Sequence, residues 1–218
     1  VPGQFLHIAI PNFTLRRPLS IASVDQAAHQ VTIVYKVVGD GTRQLARMTA
    51  GMTIQVMGPN GNGFDLNINQ SSTVLLIGGG VGIPPLHFLG EKLSEKGVTV
   101  KNILGFQTKA DVFYESSFKT FGETLVVTDD GTYGTKGLVT DVIEVNHSFH
   151  TYYTCGPLPM IQAVTHLLKD KEGYMSLEER MGCGIGACYA CVIPTKFGNG
   201  YRKICEDGPV FATQEVKL

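Results

Sequence analysis

The distribution of apolar residues divides the chain into regions with different periodicities. From Phe5 to Leu66, short runs rich in β-branched and aromatic residues cover residues 5–10, 31–38 and 53–58. Gly, Pro and Asn residues separate these runs, as is typical of strands joined by tight turns. The pattern predicts a small antiparallel β-sheet or barrel for this part of the chain.

After residue 72, apolar strands begin to alternate with helices. Val74–Ile77 is a continuous apolar run, as expected of a strand that is buried on both faces. Strands that alternate with helices predict a parallel sheet with right-handed crossovers. Further strands are predicted over residues 98–104, 124–128 and 151–154, and helices over 86–96, 111–118, 138–145 and 157–169.

Composition and charge exclude several classes of protein. The chain has 218 residues, of which 43% are hydrophobic and 17% are charged, so it is expected to fold rather than to be disordered. Its net charge is −1 and it has no block of lysine and arginine, which argues against nucleic acid as a partner. No apolar run approaches the ~20 residues of a membrane helix, so no membrane partner is expected.

Four of the five cysteines fall in one segment near the C-terminus. Their spacing is C-x4-C-x2-C followed, after thirteen residues, by a single cysteine: Cys183, Cys188, Cys191 and Cys205. This is the spacing of plant-type [2Fe–2S] ferredoxins, in which four thiolates hold two irons. The intervening residues are mostly Gly and Ala, which allow backbone N–H groups to approach cluster sulfurs.

Two other uses of these cysteines fit less well. A zinc site normally shows two C-x2-C pairs or a mixture of Cys and His, and this segment has one pair and no following histidine. A disulfide framework does not suit an odd number of cysteines without other secretory features. The sequence therefore predicts an iron–sulfur cluster and a reducing, cytoplasmic location.

A glycine-rich loop, Gly78–Gly82, joins the buried strand to a helix. Such loops bring a phosphate to a helix N-terminus, although this one lacks the G-x-G-x-x-G pattern and alone fits a purely structural turn equally well. Two more loops at predicted strand ends favour nucleotide binding, while Cys155 also fits a small buried residue. The candidate nucleotide residues are Gly79, Gly80, Gly82, Asp130, Cys155 and Gly156.

The first region carries cations beside a Gly-Thr pair. Arg17 and Lys36, with backbone amides near Gly41 and Thr42, suit a second phosphate-bearing cofactor. Taken without the rest of the chain, these cations fit an ordinary surface better.

In this order, the segments resemble the ferredoxin–NADP reductase superfamily, which joins a flavin barrel to a pyridine-nucleotide domain. Within it, the chain resembles the electron-transfer subunits of dihydroorotate dehydrogenase B, where a [2Fe–2S] module follows. The resemblance covers essentially the whole chain. Its most specific segments are residues 17–20, 57–64, 78–86, 129–137, 183–191 and 205–211.

The resemblance implies an α+β multidomain fold with three parts. These are an antiparallel β-barrel flavin domain over residues 1–67, an α/β parallel-sheet nucleotide domain over 68–172, and a small [2Fe–2S] module over 173–218. It also implies further barrel strands before Val1.

The resemblance further implies which residues contact each cofactor. Cys183, Cys188, Cys191 and Cys205 would ligate the cluster. Two positions depart from the superfamily: Leu19 stands where an aromatic residue usually stacks on the flavin, and Lys36 stands where arginine is as common. The residues implied for FAD are Arg17, Pro18, Leu19, Ser20, Val34, Tyr35, Lys36, Gly41 and Thr42.

The activity implied is electron transfer in pyrimidine biosynthesis. An FMN-containing dihydroorotate dehydrogenase catalytic subunit, in a heterotetramer with this chain, would supply electrons that pass through the cluster and FAD to NAD+. NAD is favoured over NADP because residues 105–109 contain no arginine for a 2′-phosphate. Ile185 and Tyr189 are candidate contacts with the partner.

Two alternative functions remain. The first is an NAD(P)H-dependent reductase component that feeds another redox partner, and module order and the tail over residues 205–211 argue against it. The second is a redox-sensing protein without turnover, which would not reduce dyes with NADH.

Overall fold

The first region of the chain forms an antiparallel sheet of four strands and one helix. The computed structural model describes residues 1–143 and 149–218. The strand predicted over residues 31–38 ends at Ile33, and the residues that follow it line a cavity instead. The elements are β1 (Phe5–Ile8), β2 (Arg17–Asp25), β3 (Gln30–Ile33), α1 (Asp40–Ala46) and β4 (Val56–Asn60), with strand order β3–β2–β1–β4.

The middle region forms the predicted parallel sheet with helices. Its elements are β5 (Thr73–Gly79), α2 (Ile83–Glu95), β6 (Thr99–Phe106), α3 (Glu115–Lys119), β7 (Gly122–Thr128), β8 (Thr135–Lys136), β9 (Thr151–Cys155), α4 (Leu158–Leu167) and β10 (Glu172–Ser176). The strands pair in parallel in the order β10–β9–β5–β6–β7–β8. This sheet and the antiparallel one confirm the predicted α+β class.

The central strand β5 is buried on both faces of the sheet. Val74 and Leu76 pack into the core on one face, whereas Leu75 and Ile77 pack into the core on the other. Successive side chains of a strand point to opposite faces, so a strand covered on both faces needs an apolar residue at every position. This arrangement explains the continuous apolar run in the sequence.

Two helices are shorter than predicted. The helix expected over residues 111–118 begins only at Glu115, because Tyr114 has a left-handed backbone conformation with φ +63°. The helix expected over 138–145 is a single 3₁₀ turn at Val139–Asp141, and residues 144 and 145 of that prediction lie outside the described ranges. No helix in the described ranges is long and apolar enough to cross a membrane.

The C-terminal region shares the parallel sheet. After the hairpin β11 (Val192–Pro194) and β12 (Tyr201–Lys203), strand β13 (Val210–Ala212) pairs antiparallel with β10. The expected boundary between residues 172 and 173 therefore runs through the start of β10. The backbone of β10 pairs with β9 on one side and β13 on the other, so it extends the sheet to Ser176.

The cysteine module also contacts the first sheet. The Asn62 backbone N–H donates to the Gly208 carbonyl over 2.6 Å. The Asn62 side-chain amide donates to the Glu206 and Asp207 carbonyls over 3.1 and 3.0 Å. Phe5 of β1 lies in the same apolar core as Cys191. All three regions therefore meet around the cysteines.

Candidate redox site

A cavity of about 530 Å³ lies where the three regions meet. It brings together most of the residues predicted to contact FAD, from β2, from the segment after β3 and from α1. These residues are Pro18, Leu19, Ser20, Val34, Tyr35, Lys36 and Thr42. Its wall is mainly apolar, as in sites that hold a flat aromatic ring system.

The two remaining predicted residues, Arg17 and Gly41, contact each other at the edge of this cavity. A Cβ added to Gly41 would lie 2.6 Å from the Arg17 guanidinium, so the absence of a side chain lets the cation reach the start of α1. The hydroxyl of Thr42 accepts hydrogen bonds from the N–H groups of Val38 and Gly39 over 3.0 and 3.1 Å. A cation beside a tight turn suits a pyrophosphate.

The opposite wall of the cavity was not predicted. It is formed by Val81 of the glycine-rich loop and by residues 177–181, which follow β10. Glu178 lines this wall and is exposed to solvent. Ligands of α/β sheets bind beyond the carboxyl ends of the strands. Residues 177–181 directly follow β10, so a prediction of β10 as a strand would have placed them at the ligand site.

The glycine-rich loop packs against the end of the neighbouring strand. Gly82 precedes α2, and a Cβ added to it would overlap the backbone of Cys155 and Gly156. A Cβ added to Gly156 would lie 3.0 Å from the backbone N of Gly79, while Gly80 has φ +50° and open space around it. Four of the six residues predicted for NAD therefore lie together where the glycine-rich loop meets the end of β9: Gly79, Gly82, Cys155 and Gly156.

Cys155 and Asp130 occupy different positions at this edge of the sheet. Cys155 has 0% exposed surface, and burial raises the pKa of its thiol well above the usual value, which keeps it neutral. Asp130 follows β7, two strands away from β5. Its carboxylate accepts hydrogen bonds from the N–H and hydroxyl of Thr132 over 3.0 and 2.7 Å, which lower its pKa. The structure does not bring Asp130 to Cys155.

The four clustered cysteines form two pairs. Cys183 and Cys188 are hydrogen-bonding neighbours, and so are Cys191 and Cys205. No group of three or more His, Cys, Asp or Glu side chains within the described ranges is arranged for a single metal ion. Two thiol pairs instead match a cluster of two irons, each of which takes two thiolates.

The loop also presents backbone donors to the sulfurs. The N–H of Gly186 points to Sγ of Cys205 over 3.2 Å, and the N–H of Cys188 points to Sγ of Cys183 over 3.3 Å. Gly186 has φ +75°, and a side chain there would overlap the Glu206 carboxylate. Donors aimed at sulfur in a loop that requires glycine fit the hydrogen-bonded environment of an iron–sulfur cluster.

The surroundings of Cys183 and Cys205 shift the pKa values of these two thiols in opposite directions. Hydrogen bonds from the backbone N–H groups of Ile185 and Cys188 lower the pKa of Cys183 to about 6. Burial, with the neighbouring Cys191, raises the pKa of Cys205 to about 12. A thiol must lose its proton to bind iron, so the backbone N–H groups around Cys183 favour the form that binds.

Comparison with known proteins identifies this arrangement. Residues 178–217 match the family described as the iron–sulfur cluster binding domain of dihydroorotate dehydrogenase B. The dihydroorotate dehydrogenase B (NAD(+)) electron transfer subunit of Bacillus pumilus is 51% identical over 99% of this chain and 86% of its own length. The chain belongs to this family. The corresponding subunit of Fusobacterium nucleatum is 48% identical over 100% of the chain and 87% of its own length.

Membership confirms the predicted function and cofactors. The chain is the electron-transfer component of an NAD-linked oxidoreductase, and FAD, a [2Fe–2S] cluster and NAD are its cofactors. As an electron transfer subunit of dihydroorotate dehydrogenase B, it has a catalytic partner subunit.

Solved structures show the same fold. The chain has a TM-score of 0.90 and 32% identity with an NADH-dependent reduced ferredoxin–NADP oxidoreductase, over 99% of this chain and 79% of that one. The cytochrome b5 reductase domain of Ulva prolifera nitrate reductase has a TM-score of 0.60 and 17% identity, over 78% and 80% of the two chains. The second likeness shows the fold alone.

Proposed function

We propose that this chain takes electrons from an FMN-containing dihydroorotate dehydrogenase catalytic subunit and delivers them to NAD+ within a heterotetramer. Dihydroorotate would be oxidised in the partner, because the cavity beside the cysteine module is lined by the residues that we assign to FAD. The observation that carries the proposal is the meeting of a flavin-type cavity, a glycine-rich nucleotide loop and four paired thiols at one junction. Thiol ligands favour the reducing cytoplasm as the compartment.

We assign the cofactors to the residues that the fold gathers. FAD is held by the nine residues predicted for it, with Arg17 and Gly41 at the pyrophosphate. NAD+ is held by Gly79, Gly80, Gly82, Cys155 and Gly156, with Asp130 further along the same sheet edge. The cluster is held by Cys183, Cys188, Cys191 and Cys205. The flavin supplies the step between two-electron and one-electron chemistry that neither NAD nor a cluster can supply alone.

The domains that we propose follow from the sheets. Residues 1–67 form the flavin domain, and the nucleotide domain runs from residue 68 through β10. Residues 177–218 form the cluster module, whose last strand β13 returns to the nucleotide sheet. The module is therefore fixed against both other domains, which suits electron transfer because that process needs a constant separation between cofactors.

Replacing Arg17 with alanine is expected to weaken FAD binding roughly 10- to 100-fold, since hydrogen bonds to charged groups contribute about 1.5–3 kcal/mol. The dissociation constant is measured by flavin fluorescence on apoprotein. Arg202→Ala is the matched control, because Arg202 is exposed and its side chain pairs with Glu215 over 2.8 Å. An Arg17 variant that binds FAD as the Arg202 variant does would contradict the assignment.

The apolar tip of the cluster loop is the proposed docking surface. Ile185 and Tyr189 are 56% and 75% exposed although they flank the cluster ligands. An electron entering from another protein must cross the surface nearest to the cluster, and exposed apolar groups there suit a partner that covers them.

Ile185→Glu is expected to weaken the complex with the catalytic subunit at least about tenfold, because a carboxylate would be buried without a counter-charge. The wild-type complex should reduce NAD+ with dihydroorotate, whereas neither subunit alone should do so. Leu138→Glu is the control, since Leu138 is 57% exposed and follows β8 at the far edge of the sheet. Failure of the wild-type subunits to associate would refute the function, and undiminished binding by Ile185→Glu would refute only the docking surface.

A further inference from the structure

His7 lies at the contact between the flavin domain and the cluster loop. It belongs to β1, where it is paired with Pro18 of β2 and with Met57 of β4. Side chains alternate along a strand, so Phe5 and His7 share one face. Leu6 and Ile8 pack into the core of the flavin sheet, while Phe5 packs with Cys191 and Cys205. The face that carries His7 is therefore the face turned to the cysteine module.

The cluster loop is shaped around the His7 ring. Gly184 has φ +72°, and a Cβ added to it would overlap Nδ1 of His7. The Asn60 side-chain amide, also in the flavin sheet, donates to the Gly184 carbonyl over 3.1 Å. Two side chains of the flavin sheet thus contact the residue that directly follows the ligand Cys183.

The chemistry of His7 is unusual for a core position. Its exposed surface is 0%, and within the described ranges neither ring nitrogen makes a hydrogen bond of normal geometry, although the backbone of Cys183 and Arg16 lies close to the ring. A histidine ring carries at least one N–H whether it is neutral or charged, so His7 brings a donor to this contact. Leaving a buried donor unpaired destabilises a protein, whereas leucine or phenylalanine would fill the same space without this cost.

We propose that His7 is a positioning residue for electron transfer, which fixes the Cys183–Gly184 segment against the flavin sheet and donates its ring N–H to a sulfur of the bound cluster. The unpaired donor then has a partner in the loaded protein. Pro18, the strand partner of His7, lines the flavin cavity, so His7 neighbours a residue of that cavity as well as the Cys183–Gly184 segment. The inference deepens the proposed function and rests on the cluster site.

Replacing His7 with phenylalanine tests the donor. Hydrogen bonds to cluster sulfur stabilise the reduced, more negative state, so their loss makes the reduction potential more negative. An EPR-monitored redox titration of the FAD-loaded complex should show such a shift for His7→Phe. His7→Gln, whose amide retains an N–H, should recover most of the wild-type potential. His87→Phe removes another partly buried histidine, within an aromatic cluster of the nucleotide domain, and should shift nothing.

A measurement on the unaltered residue removes dependence on how the variants fold. Protein grown with ¹⁵N-histidine, with its cluster reduced, should show a weak ¹⁵N coupling in pulsed EPR, and His7→Gln should lose that coupling. Absence of the coupling in the wild type, or a potential in His7→Phe equal to the wild-type value, overturns the role of His7. A wild-type protein without a [2Fe–2S] signal overturns the cluster site itself.

Discussion

Replacing Cys205 with serine is expected to abolish the [2Fe–2S] cluster and with it the transfer of electrons from the partner. Cys205 is 2% exposed and pairs with Cys191, so no other thiol can take its place. A serine hydroxyl does not ionise near neutral pH. Changes to partners outside the ligand shell already reduce metal affinity or activity about 10- to 100-fold. The loss of a ligand should therefore lower dihydroorotate-dependent NAD+ reduction by more than about 100-fold.

The measurements for Cys205→Ser are iron content, the EPR signal of the reduced protein and the absorption of bound FAD. FAD should remain bound, because Cys205 is not among the residues that line the flavin cavity. Cys155→Ser is the matched control: it removes the one cysteine outside the module, which is buried in β9, and should keep the EPR signal. A full [2Fe–2S] signal in Cys205→Ser, or its loss in Cys155→Ser, would show that the ligand set is wrong.

Replacing Gly82 with alanine is expected to disrupt the nucleotide site and destabilise its domain. The new methyl group would overlap the backbone of Cys155 and Gly156, which cannot rotate away as a side chain can. Overpacking of this kind costs about 3 kcal/mol, which corresponds to roughly 6–12 °C in Tm for a chain of this size. The KM for NADH in dye reduction should rise at least about tenfold, because the separation of the two strand ends that we propose to bind the nucleotide changes.

Gly80→Ala separates this steric effect from backbone strain. Gly80 lies in the same loop with φ +50°, and a Cβ added to it meets nothing within 4 Å. Alanine there costs only the left-handed conformation, about 1–2 kcal/mol. Thermal unfolding and NADH titration of both variants provide the comparison. Equal losses in the two would mean that strain, rather than the contact with β9, determines the effect.

Strands β10 and β13, neither of which the apolar pattern predicts, show how tertiary pairing overrides local pattern. The segment Glu172–Ser176 reads Glu-Gly-Tyr-Met-Ser, which has neither a continuous apolar run nor a strict alternation. It becomes a strand because β9 and β13 satisfy its backbone on both sides, and β13 is contributed by residues more than 30 positions later. The wall of the cavity formed by residues 177–181 was missed for the same reason.

Short helices were misjudged through a different effect. The sequence around Asp111 has a helical pattern, but Phe113 and Tyr114 turn into an aromatic group with Phe106 and His87. Tyr114 takes a left-handed conformation to reach it, so the helix starts later. Burial of aromatic surface here outweighs the local preference for helix.

By itself, the sequence determined the spacing of the cysteines that we propose as ligands, the buried strand with its glycine loop and the alternation that makes a parallel sheet. Each of these features is local: cluster ligands within nine residues share one loop, and a strand buried on both faces must be apolar throughout. The tertiary structure alone decided that His7 contacts Gly184, that Arg17 rests on Gly41 and that residues 177–181 close the flavin cavity. These pairs come from distant segments, and their proximity follows from how the sheets pack, which no local pattern records.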